Sequence, residues 1–316
     1  MNIAFCCQHP YYGGLSNNGG SRTIIMSSIK LNRMKCPTVI VTKSDKHTWV
    51  KHKKPLRHIP RNTDVCIACS ISDIRPMLKK MPKNARPYWW CRLLETYQMP
   101  KDKILREASK VNVLVNSLGL YSWFRKYGID SDIVYQGYDR KWFDIGPHRM
   151  NSVGFLVSSK KRKRFDVIEK IIKTLGDQKR YYGFGLDINR AIKKVVKKKF
   201  SGFTQNAGYA DLSKLYNQVG IWVSTSTREG LHNVPLEAAL CGCAVVYPDT
   251  RFAGCADHCI DGKTAWRYSA GDAVSAAETI ISADRSRVEA HKDYIKNNIG
   301  DRETCMKKLV TILERK

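Results

Sequence analysis

The sequence predicts an α/β protein with two doubly wound, Rossmann-like domains, and three observations support this prediction. At 316 residues the chain exceeds what one hydrophobic core usually organises, which favours two domains of about 150 residues. Short apolar segments alternate with segments of helical periodicity, a pattern typical of parallel sheets covered by helices. A polar break, DIGPHRMN at residues 144–151, separates two such series and predicts the domain boundary.

The strand candidates are short and apolar in both series. The first series contains residues 3–7, 38–41, 65–68, 111–115 and 133–135, and the second contains 153–157, 180–184, 221–224 and 244–247. The segment FDVIEKIIKTLG predicts an amphipathic helix, because its apolar residues recur at helical spacing and Gly176 follows as a stop. The predicted domains are residues 1–146 and 147–290, and helices at 291–316 are expected to pack back across both.

Charge distinguishes this chain from an ordinary enzyme. Lys and Arg total 55 against 28 acidic residues, a formal net charge of +27. Such an excess implies a polyanionic partner, which could be nucleic acid, an anionic membrane surface or an acidic glycan. Three basic runs carry much of it, at residues 43–61, 160–164 and 193–199, although any single run could be a solvated face.

Cysteine usage and hydropathy indicate a soluble, cytoplasmic protein. No apolar run approaches the roughly 18 residues of a membrane span, and the first residues lack the pattern of a signal peptide. The 11 cysteines show no disulfide-framework spacing and fit reduced thiols. Cys66 and Cys69 form a CxxC without a second pair, and a looser group comprises Cys241, Cys243, Cys255, His258 and Cys259. Since structural zinc needs four ligands, we expect no metal site.

Two glutamates stand out between two predicted strands. GIWVSTS reads as a strand, TREGLHNV as the loop at its end, and Pro235 suits the first turn of the following helix. Backbone N–H groups of residues 231–233 could then face an anion. Glu229 and Glu237 could each accept hydrogen bonds from a diol, so the pattern predicts a sugar-nucleotide site. The alternative is a capping glutamate and an exposed helix glutamate.

A longer segment carries a family resemblance. EGLHNVPLEAALCGCAVVYPDTRFAGCADHCIDGKTAW resembles the donor-site signature of retaining GT-B glycosyltransferases of the family 4 type, whose motif is Glu, seven residues, Glu. VGFLVSSKKRKRFDVIEKII, GFTQNAGYADLSKLYNQVGIWVSTS and YQGYDRKWF are similar to other segments of that family, in the same order. The resemblance covers about residues 135–270, whereas the first 130 residues match only through PYYGGLSNNGGSRT, which is similar to a Gly-rich loop.

The resemblance implies a GT-B fold, with the two domains facing each other across a cleft, and roles for particular residues. Glu229 would contact the donor sugar and Glu237 the ribose, while Lys163 would bind the diphosphate. Ser158 replaces the family's partner arginine, so Arg162 or Lys160 would supply that contact. Further donor contacts are implied for Leu231, His232 and Asn233 through their N–H groups, for Gly13 and Gly14, and for Asp257, where the family usually has Glu.

The implied chemistry is retaining transfer from a nucleotide sugar, with a UDP-sugar as the first candidate. Breaking the bond between sugar and phosphate leaves negative charge on the diphosphate, which cations and helix N-terminal amides stabilise. The segment that carries the resemblance, residues 135–270, has no Asp-x-Asp metal motif, so neither a metal nor another cofactor is expected. Glu229 and Lys163 are the predicted catalytic residues, and the leaving phosphate would assist deprotonation of the acceptor hydroxyl.

The acceptor is predicted from charge. The first hypothesis is a hydroxymethylated pyrimidine in duplex DNA, as in bacteriophage DNA-modifying glycosyltransferases acting in the host cytoplasm. The alternatives are a transferase of lipopolysaccharide or another envelope glycan, docked on an anionic membrane, and a non-catalytic nucleic-acid-binding protein on a GT-B scaffold. The acceptor-side candidates are His9, Glu95, Lys51, Lys53, Lys54, Arg57 and Arg61. For Glu95 the competing interpretation is a surface ion pair, and for His9 a satisfied loop histidine.

Overall fold

The computed structural model describes residues 1–8, 14–96, 99–139, 150–250, 252 and 254–315. The chain forms two compact units, one of residues Met1–Gly137 with Arg302–Lys316 and the other of residues Tyr138–Asp301. The boundary that we predicted after residue 146 lies outside the described residues, and the first unit already ends at Gly137.

The first unit is a six-stranded parallel sheet. Its strands are β1 (Ile3–Cys7), β2 (Thr38–Thr42), β3 (Val65–Ala68), β4 (Arg86–Cys91), β5 (Asn112–Val115) and β6 (Ser131–Ile133). Its first four helices are α1 (Gly19–Arg33), α2 (Ile71–Leu78), α3 (Lys101–Ala108) and α4 (Leu118–Lys126). The strand order is β2-β1-β3-β4-β5-β6, and Tyr88, Trp89 and Trp90 of β4 are fully buried, as expected for an aromatic core strand.

The second unit is also a six-stranded parallel sheet. Its strands are β7 (Ser152–Leu156), β8 (Arg180–Gly185), β9 (Phe200–Gln205), β10 (Ile221–Val223), β11 (Ala244–Pro248) and β12 (Trp266–Tyr268). Its helices are α5 (Phe165–Leu175), α6 (Arg190–Lys199), α7 (Tyr209–Gln218), α8 (Asn233–Leu240), α9 (Ala273–Ser282) and α10 (Val288–Tyr294). The strand order is β12-β11-β10-β7-β8-β9. Helix α5 ends where predicted, because Gly176 adopts a φ of 54°.

The C-terminal segment divides between the two units. After α10, a π-helical turn (Ile295–Ile299) leads to the last helix, α11 (Arg302–Arg315). Helix α11 belongs to the first unit, where Leu309 and Leu313 join the core that contains Ile25 and Leu31. The guanidinium of Arg302 donates to the backbone oxygen of Gln136 at 2.9 Å, which holds the start of α11 near the end of that unit's sheet.

The predicted fold class is confirmed, since both sheets are parallel and strands alternate with helices. The predicted strand at residues 133–135 is displaced, because β6 spans Ser131–Ile133, although Val134 still donates to the oxygen of Val115 at 2.7 Å. Three strands, β4, β9 and β12, were not among the strand candidates. β4 is a central strand, whereas β9 and β12 are the edge strands of the second sheet, and no residue of β9 is fully buried, so the apolar signal of these two is weak.

Each sheet has a topological switch point, where the chain changes direction across the sheet. In the first unit it lies between β1 and β3, and in the second between β7 and β10. Open α/β sheets bind ligands outside the carboxyl ends of the strands at such points. None of the helices in the described part of the chain is long and apolar enough to cross a membrane.

Candidate active site

The switch point of the second unit brings together the loops that follow β7 and β10. The first loop contains a single 3-10 turn, Lys161–Lys163, and the second contains Glu229. The N–H of Thr227 donates to the oxygen of Arg162 at 2.9 Å, and the hydroxyl of Thr225 donates to the oxygen of Lys163 at 2.7 Å. These bonds tie the basic turn to the loop that carries the glutamate.

Glu229 lies in a cluster with two cations. The ammonium of Lys163 is 2.5 Å from Oε1 of Glu229, and the guanidinium of Arg162 contacts the same oxygen. The side chains of Lys163 and Glu229 are 10% and 13% exposed, and that of Arg162 is 28% exposed. Among the described residues, Oε2 of Glu229 has no hydrogen-bond partner. The carboxylate therefore keeps one oxygen available for a ligand hydroxyl.

The charges in this cluster stabilise one another. Burial alone would raise the pKa of Glu229, but Lys163, His232 and Arg162 outweigh it and lower the pKa to about 2. Burial lowers the pKa of Lys163, and the neighbouring Glu229 opposes that change. We infer that the carboxylate is ionised at neutral pH and that the cations remain next to it.

The two residues proposed to replace the missing arginine behave differently. Arg162 contacts Glu229, whereas the exposed Lys160 pairs with Asp187 at 2.9 Å. Ser158 is buried, and its hydroxyl accepts a hydrogen bond from the N–H of Lys160 at 3.2 Å. The structure therefore favours Arg162 as the second cation of the site.

A second loop, which follows β11, runs along the loop that carries Glu229. The N–H of Glu229 donates to the oxygen of Phe252 at 2.7 Å, and the N–H of His232 donates to the oxygen of Gly254 at 2.9 Å. Gly254 has a φ of +72°, and a Cβ there would lie 2.3 Å from the oxygen of Gly230. Only glycine permits this approach without displacing backbone.

This pairing corrects one expectation. The N–H groups of residues 231–233 were predicted to face an anion together, but that of His232 is used within the protein. The His232 ring is buried and lies 3.1 Å from the hydroxyl of Ser224 through Nδ1. Leu231 and Asn233 lie on either side of it, at the start of α8.

Glu237 lies inside α8, and Pro235 is in the first turn of that helix, as predicted. The interpretation of Glu237 as an exposed helix glutamate is wrong, because only 5% of the residue is exposed. Its Oε2 accepts a hydrogen bond from the hydroxyl of Tyr216 at 3.2 Å. The sequence did not indicate Tyr216 as a partner of Glu237, because its position in α7 is typical of an apolar residue on the buried face of a helix.

The first unit also places predicted residues at its switch point. Gly14 follows β1 with a φ of +146°, and a Cβ there would lie 3.1 Å from the oxygen of Ser44. Packing within the first unit therefore explains why residue 14 is a glycine. Gly13 and His9, both predicted as site residues, lie outside the described residues.

Glu95 does not form the surface ion pair that we weighed for it. Its carboxylate accepts a hydrogen bond from the N–H of Ile71, the first residue of α2, at 2.7 Å. Burial, the largest influence, raises the pKa of Glu95 to about 7. Because α2 follows β3, this carboxyl lies at the switch point of the first sheet, and it changes charge near neutral pH.

The basic runs differ in structure. Lys51, Lys53, Lys54, Arg57 and Arg61 are all exposed. Among the described residues, none of the five pairs with a carboxylate. The loop is held at the edge of the first sheet, because Leu56 donates to the oxygen of Ile40 at 2.8 Å and accepts from Thr42 at 2.9 Å. By contrast, the run at 160–164 contains the buried Lys163, which contacts Glu229.

The cysteines divide into two groups. Cys66 and Cys69 belong to core layers on opposite faces of the first sheet, so this CxxC cannot chelate one ion. The thiol of Cys243 donates to the oxygens of Tyr216 and Val219, both at 3.2 Å. Cys255, His258 and Cys259, however, do converge, with their ligand atoms all within 4.8 Å of one another. Asp257 lies between them in sequence and is 3% exposed.

Comparisons with known proteins agree with this fold. Residues 151–283 match the family described as Glycosyl transferases group 1. HepE of Anabaena, solved with UDP, aligns over 100% of both chains at 14% identity and a TM-score of 0.72. A sucrose-phosphate synthase of Thermosynechococcus elongatus aligns over 100% of this chain and 98% of its own at 14% identity and a TM-score of 0.78.

TarM of S. aureus, solved with Fondaparinux, α-GlcNAc-glycerol and UDP, aligns over 79% of this chain at 17% identity and a TM-score of 0.64. The present chain spans about 55% of the length of that TarM chain. The whole sequence matches none of the curated proteins. The chain therefore has the GT-B fold, and one part of it, residues 151–283, is similar to group 1 glycosyltransferases.

Proposed function

We propose that the protein is a retaining glycosyltransferase that moves a sugar from a nucleotide sugar to a hydroxymethylated pyrimidine in duplex DNA. The observation that carries the proposal is the cluster of Glu229, Lys163 and Arg162 at the switch point of the second sheet. This cluster places two cations and one ionised carboxylate where open α/β sheets bind nucleotides.

The cluster suits cleavage of a sugar–phosphate bond. Negative charge develops on the leaving diphosphate, and Lys163 with Arg162 supplies positive charge before the reaction begins. Glu229 offers Oε2 to a hydroxyl of the donor sugar, while Glu237 is the proposed ribose contact. A UDP-sugar is the first candidate, since HepE was solved with UDP and with UDP-glucose. The two cations replace a divalent metal in this proposal.

The acceptor assignment depends on the first unit. Its five exposed, unpaired cations at residues 51–61 can contact phosphates, which position a duplex without reading its sequence. Glu95 is a candidate for the acceptor side, because its pKa of about 7 suits proton exchange with a hydroxyl.

Two observations favour DNA over a membrane as the polyanion. Trp49, the aromatic residue nearest to the basic loop, packs edge-on against His47 with ring centroids 5.8 Å apart. Leu56 is the large apolar side chain that this loop exposes, at 40%. A helix that binds a membrane surface needs a continuous apolar face, which one leucine does not provide.

The decisive experiment is incubation with candidate UDP-sugars and duplex DNA that contains hydroxymethylated pyrimidines, followed by mass spectrometry of the nucleosides. We expect a hexosyl or pentosyl adduct on the modified base, in the anomeric configuration of the donor. Unmodified DNA of the same sequence is the matched control. Lys163→Ala protein is the control for adventitious transferase activity.

Three outcomes separate the hypotheses. Transfer to an extracted envelope glycan but not to DNA would replace the DNA acceptor with the envelope-glycan alternative. DNA binding without hydrolysis or transfer of any nucleotide sugar would leave a nucleic-acid-binding protein on a GT-B scaffold. An adduct of inverted configuration would contradict the retaining mechanism.

A further inference from the structure

The loop that pairs with the Glu229 loop leads directly into a buried group of sulfur and nitrogen atoms. Cys255, His258 and Cys259 lie in the segment after Gly254, and His291 comes from α10 of the same unit. Cys255, His258 and His291 are 0% exposed, and Cys259 is 4% exposed. These four residues are called the Cys/His cluster below.

The atoms of the Cys/His cluster converge on one point. Nδ1 of His258 lies 3.0 Å from Nε2 of His291 and 3.4 Å from the sulfur of Cys259. The sulfur of Cys259 lies 4.0 Å from Nε2 of His291. A tetrahedral zinc ion with bonds of about 2.0–2.3 Å holds its ligand atoms about 3.3–3.8 Å apart. The separations among His258, Cys259 and His291 bracket this range, and the ligand atom of Cys255 lies within 4.8 Å of those of His258 and Cys259.

Hydrogen bonds alone account poorly for this arrangement. Two imidazole nitrogens that face each other share at most one proton. Nδ1 of His291 is buried and has no hydrogen-bond partner among the described residues, whereas the ring of His258 also lies near the backbone of His232. Burying an imidazole nitrogen without a partner is unfavourable unless something in the cluster compensates for it.

We propose that Cys255, His258, Cys259 and His291 bind one zinc ion. Two thiolates and two imidazoles are a zinc donor set, whereas Mg²⁺ and Ca²⁺ prefer oxygen ligands. The ion replaces the thiol protons, which are released to solvent on binding.

The position of the site indicates a structural role. Zinc would join the segment after β11 to α10. That segment holds the backbone N–H groups of Glu229 and His232 through Phe252 and Gly254. The four ligands are therefore positioning residues, which fix the loop carrying the catalytic carboxylate. This inference differs from the expectation of no metal site, because His291 lies 33 residues from His258 and was not considered as a ligand.

Metal content of the purified full-length protein tests the proposal. After expression with added zinc and extensive dialysis, mass spectrometry of the metal should find stoichiometric zinc in the wild type. His291→Ala and Cys259→Ala should fall below about a tenth of that content, since each leaves three ligands. His291→Cys, which supplies a replacement ligand, should retain zinc. Cys243→Ala is the matched control, because Cys243 is buried in the same unit outside the cluster.

A second measurement covers variants that fail to fold. Cobalt substituted into the wild type should give the visible bands of tetrahedral Co²⁺ and a thiolate-to-cobalt charge-transfer band. Folded wild type without zinc and without these cobalt bands would overturn the proposal. Zinc retained by His291→Ala but lost by His232→Ala would overturn the ligand set, since His232 Nδ1 lies 3.7 Å from the sulfur of Cys255.

Discussion

Each of the two switch points holds a glutamate. The pKa of one carboxyl is lower than that of an ordinary glutamate, and the pKa of the other is higher. Glu229 contacts two cations, and its pKa is lowered from 4.5 to about 2. Glu95 accepts a hydrogen bond from a helix N-terminus but has no ion pair at salt-bridge distance among the described residues, and burial raises its pKa from 4.5 to about 7. Both residues are half-buried, so the neighbouring cations decide the difference.

This difference matches the two roles in the proposed reaction. A permanently ionised carboxylate among cations suits binding of sugar hydroxyls beside a diphosphate. A carboxyl that titrates near neutral pH suits proton exchange on the acceptor side. The predictions below test the contrast, beginning with the largest expected effect.

Removing Lys163 should have the largest effect. Lys163→Ala leaves the buried Glu229 without one of its two cations, and breaking a buried ion pair costs about 3–5 kcal/mol of unfolding free energy. Transfer activity should be lost as well, because the diphosphate loses a cation. Chemical denaturation and a donor-hydrolysis assay measure the two effects. Lys160→Ala is the control, since Lys160 pairs with the exposed Asp187; equal losses in both variants would contradict the assigned role of Lys163.

Glu229→Ala and Glu237→Ala should each reduce transfer and donor hydrolysis. The expected loss is about 2–4 kcal/mol of transition-state stabilisation, as for a charged hydrogen bond. Steady-state kinetics with a nucleotide sugar measures it. Near-wild-type rates in both variants would rule out the donor-site assignment.

The pH dependence of stability should separate the two carboxyls. A pKa lowered to about 2 means that Glu229 stabilises the fold above pH 4.5, and that this contribution is lost as the pH falls towards 2. A pKa raised to about 7 means that Glu95 stabilises the fold below pH 4.5, and that this contribution is lost as the pH rises through 7.

Glu95→Gln should therefore raise the unfolding free energy at pH 8 by about 2–3 kcal/mol relative to wild type, and the gain should vanish at pH 4. The glutamine oxygen can still accept from Ile71. Urea denaturation at a series of pH values gives the comparison. Glu303→Gln is the control, because Glu303 is a surface residue whose neighbours lower its pKa. An equal gain in unfolding free energy at pH 8 in both variants would contradict the assignment of the effect to the burial of Glu95.

The exposed basic loop should affect DNA binding alone. Changing Lys53, Lys54 and Arg57 to Ser should reduce the slope of log K against log salt by about three units, as each cation neutralises about one phosphate. Donor hydrolysis without DNA should be unchanged. Fluorescence anisotropy over a salt series measures the slope. Changing Lys193, Lys194 and Lys197 on α6 is the matched control, and an equal reduction there would mean that the loop is not the specific contact.

Divalent cations should have the smallest effect on catalysis. Because Lys163 and Arg162 supply the positive charge, adding Mg²⁺ or Mn²⁺, or EDTA shortly before the assay, should leave transfer unchanged. Loss of activity restored by Mg²⁺ or Mn²⁺ would count against the proposed mechanism. Loss of activity that only Zn²⁺ restores would instead indicate that the chelator removed zinc from the Cys/His cluster.

Much of the fold follows from local patterns in the sequence. Most strands at the centre of each sheet, such as β1 and β7, were predicted because buried parallel strands are continuously apolar, although the central strand β4 was not among the candidates. The edge strands β9 and β12 were not, because an edge strand buries few residues and resembles a loop. The helix stop at Gly176 was predicted since only the residue itself and its neighbours determine it.

The candidate site shows the same division between local and distant information. The sequence alone determined which residue types are present and which loops end the strands, because alternation and spacing are local properties. Only the tertiary structure decided that Arg162 meets a carboxylate 67 residues away, that burial raises the pKa of Glu95, and that His291 reaches His258 and Cys259. Contacts and burial depend on how elements that are distant in sequence pack together, and no local pattern encodes them.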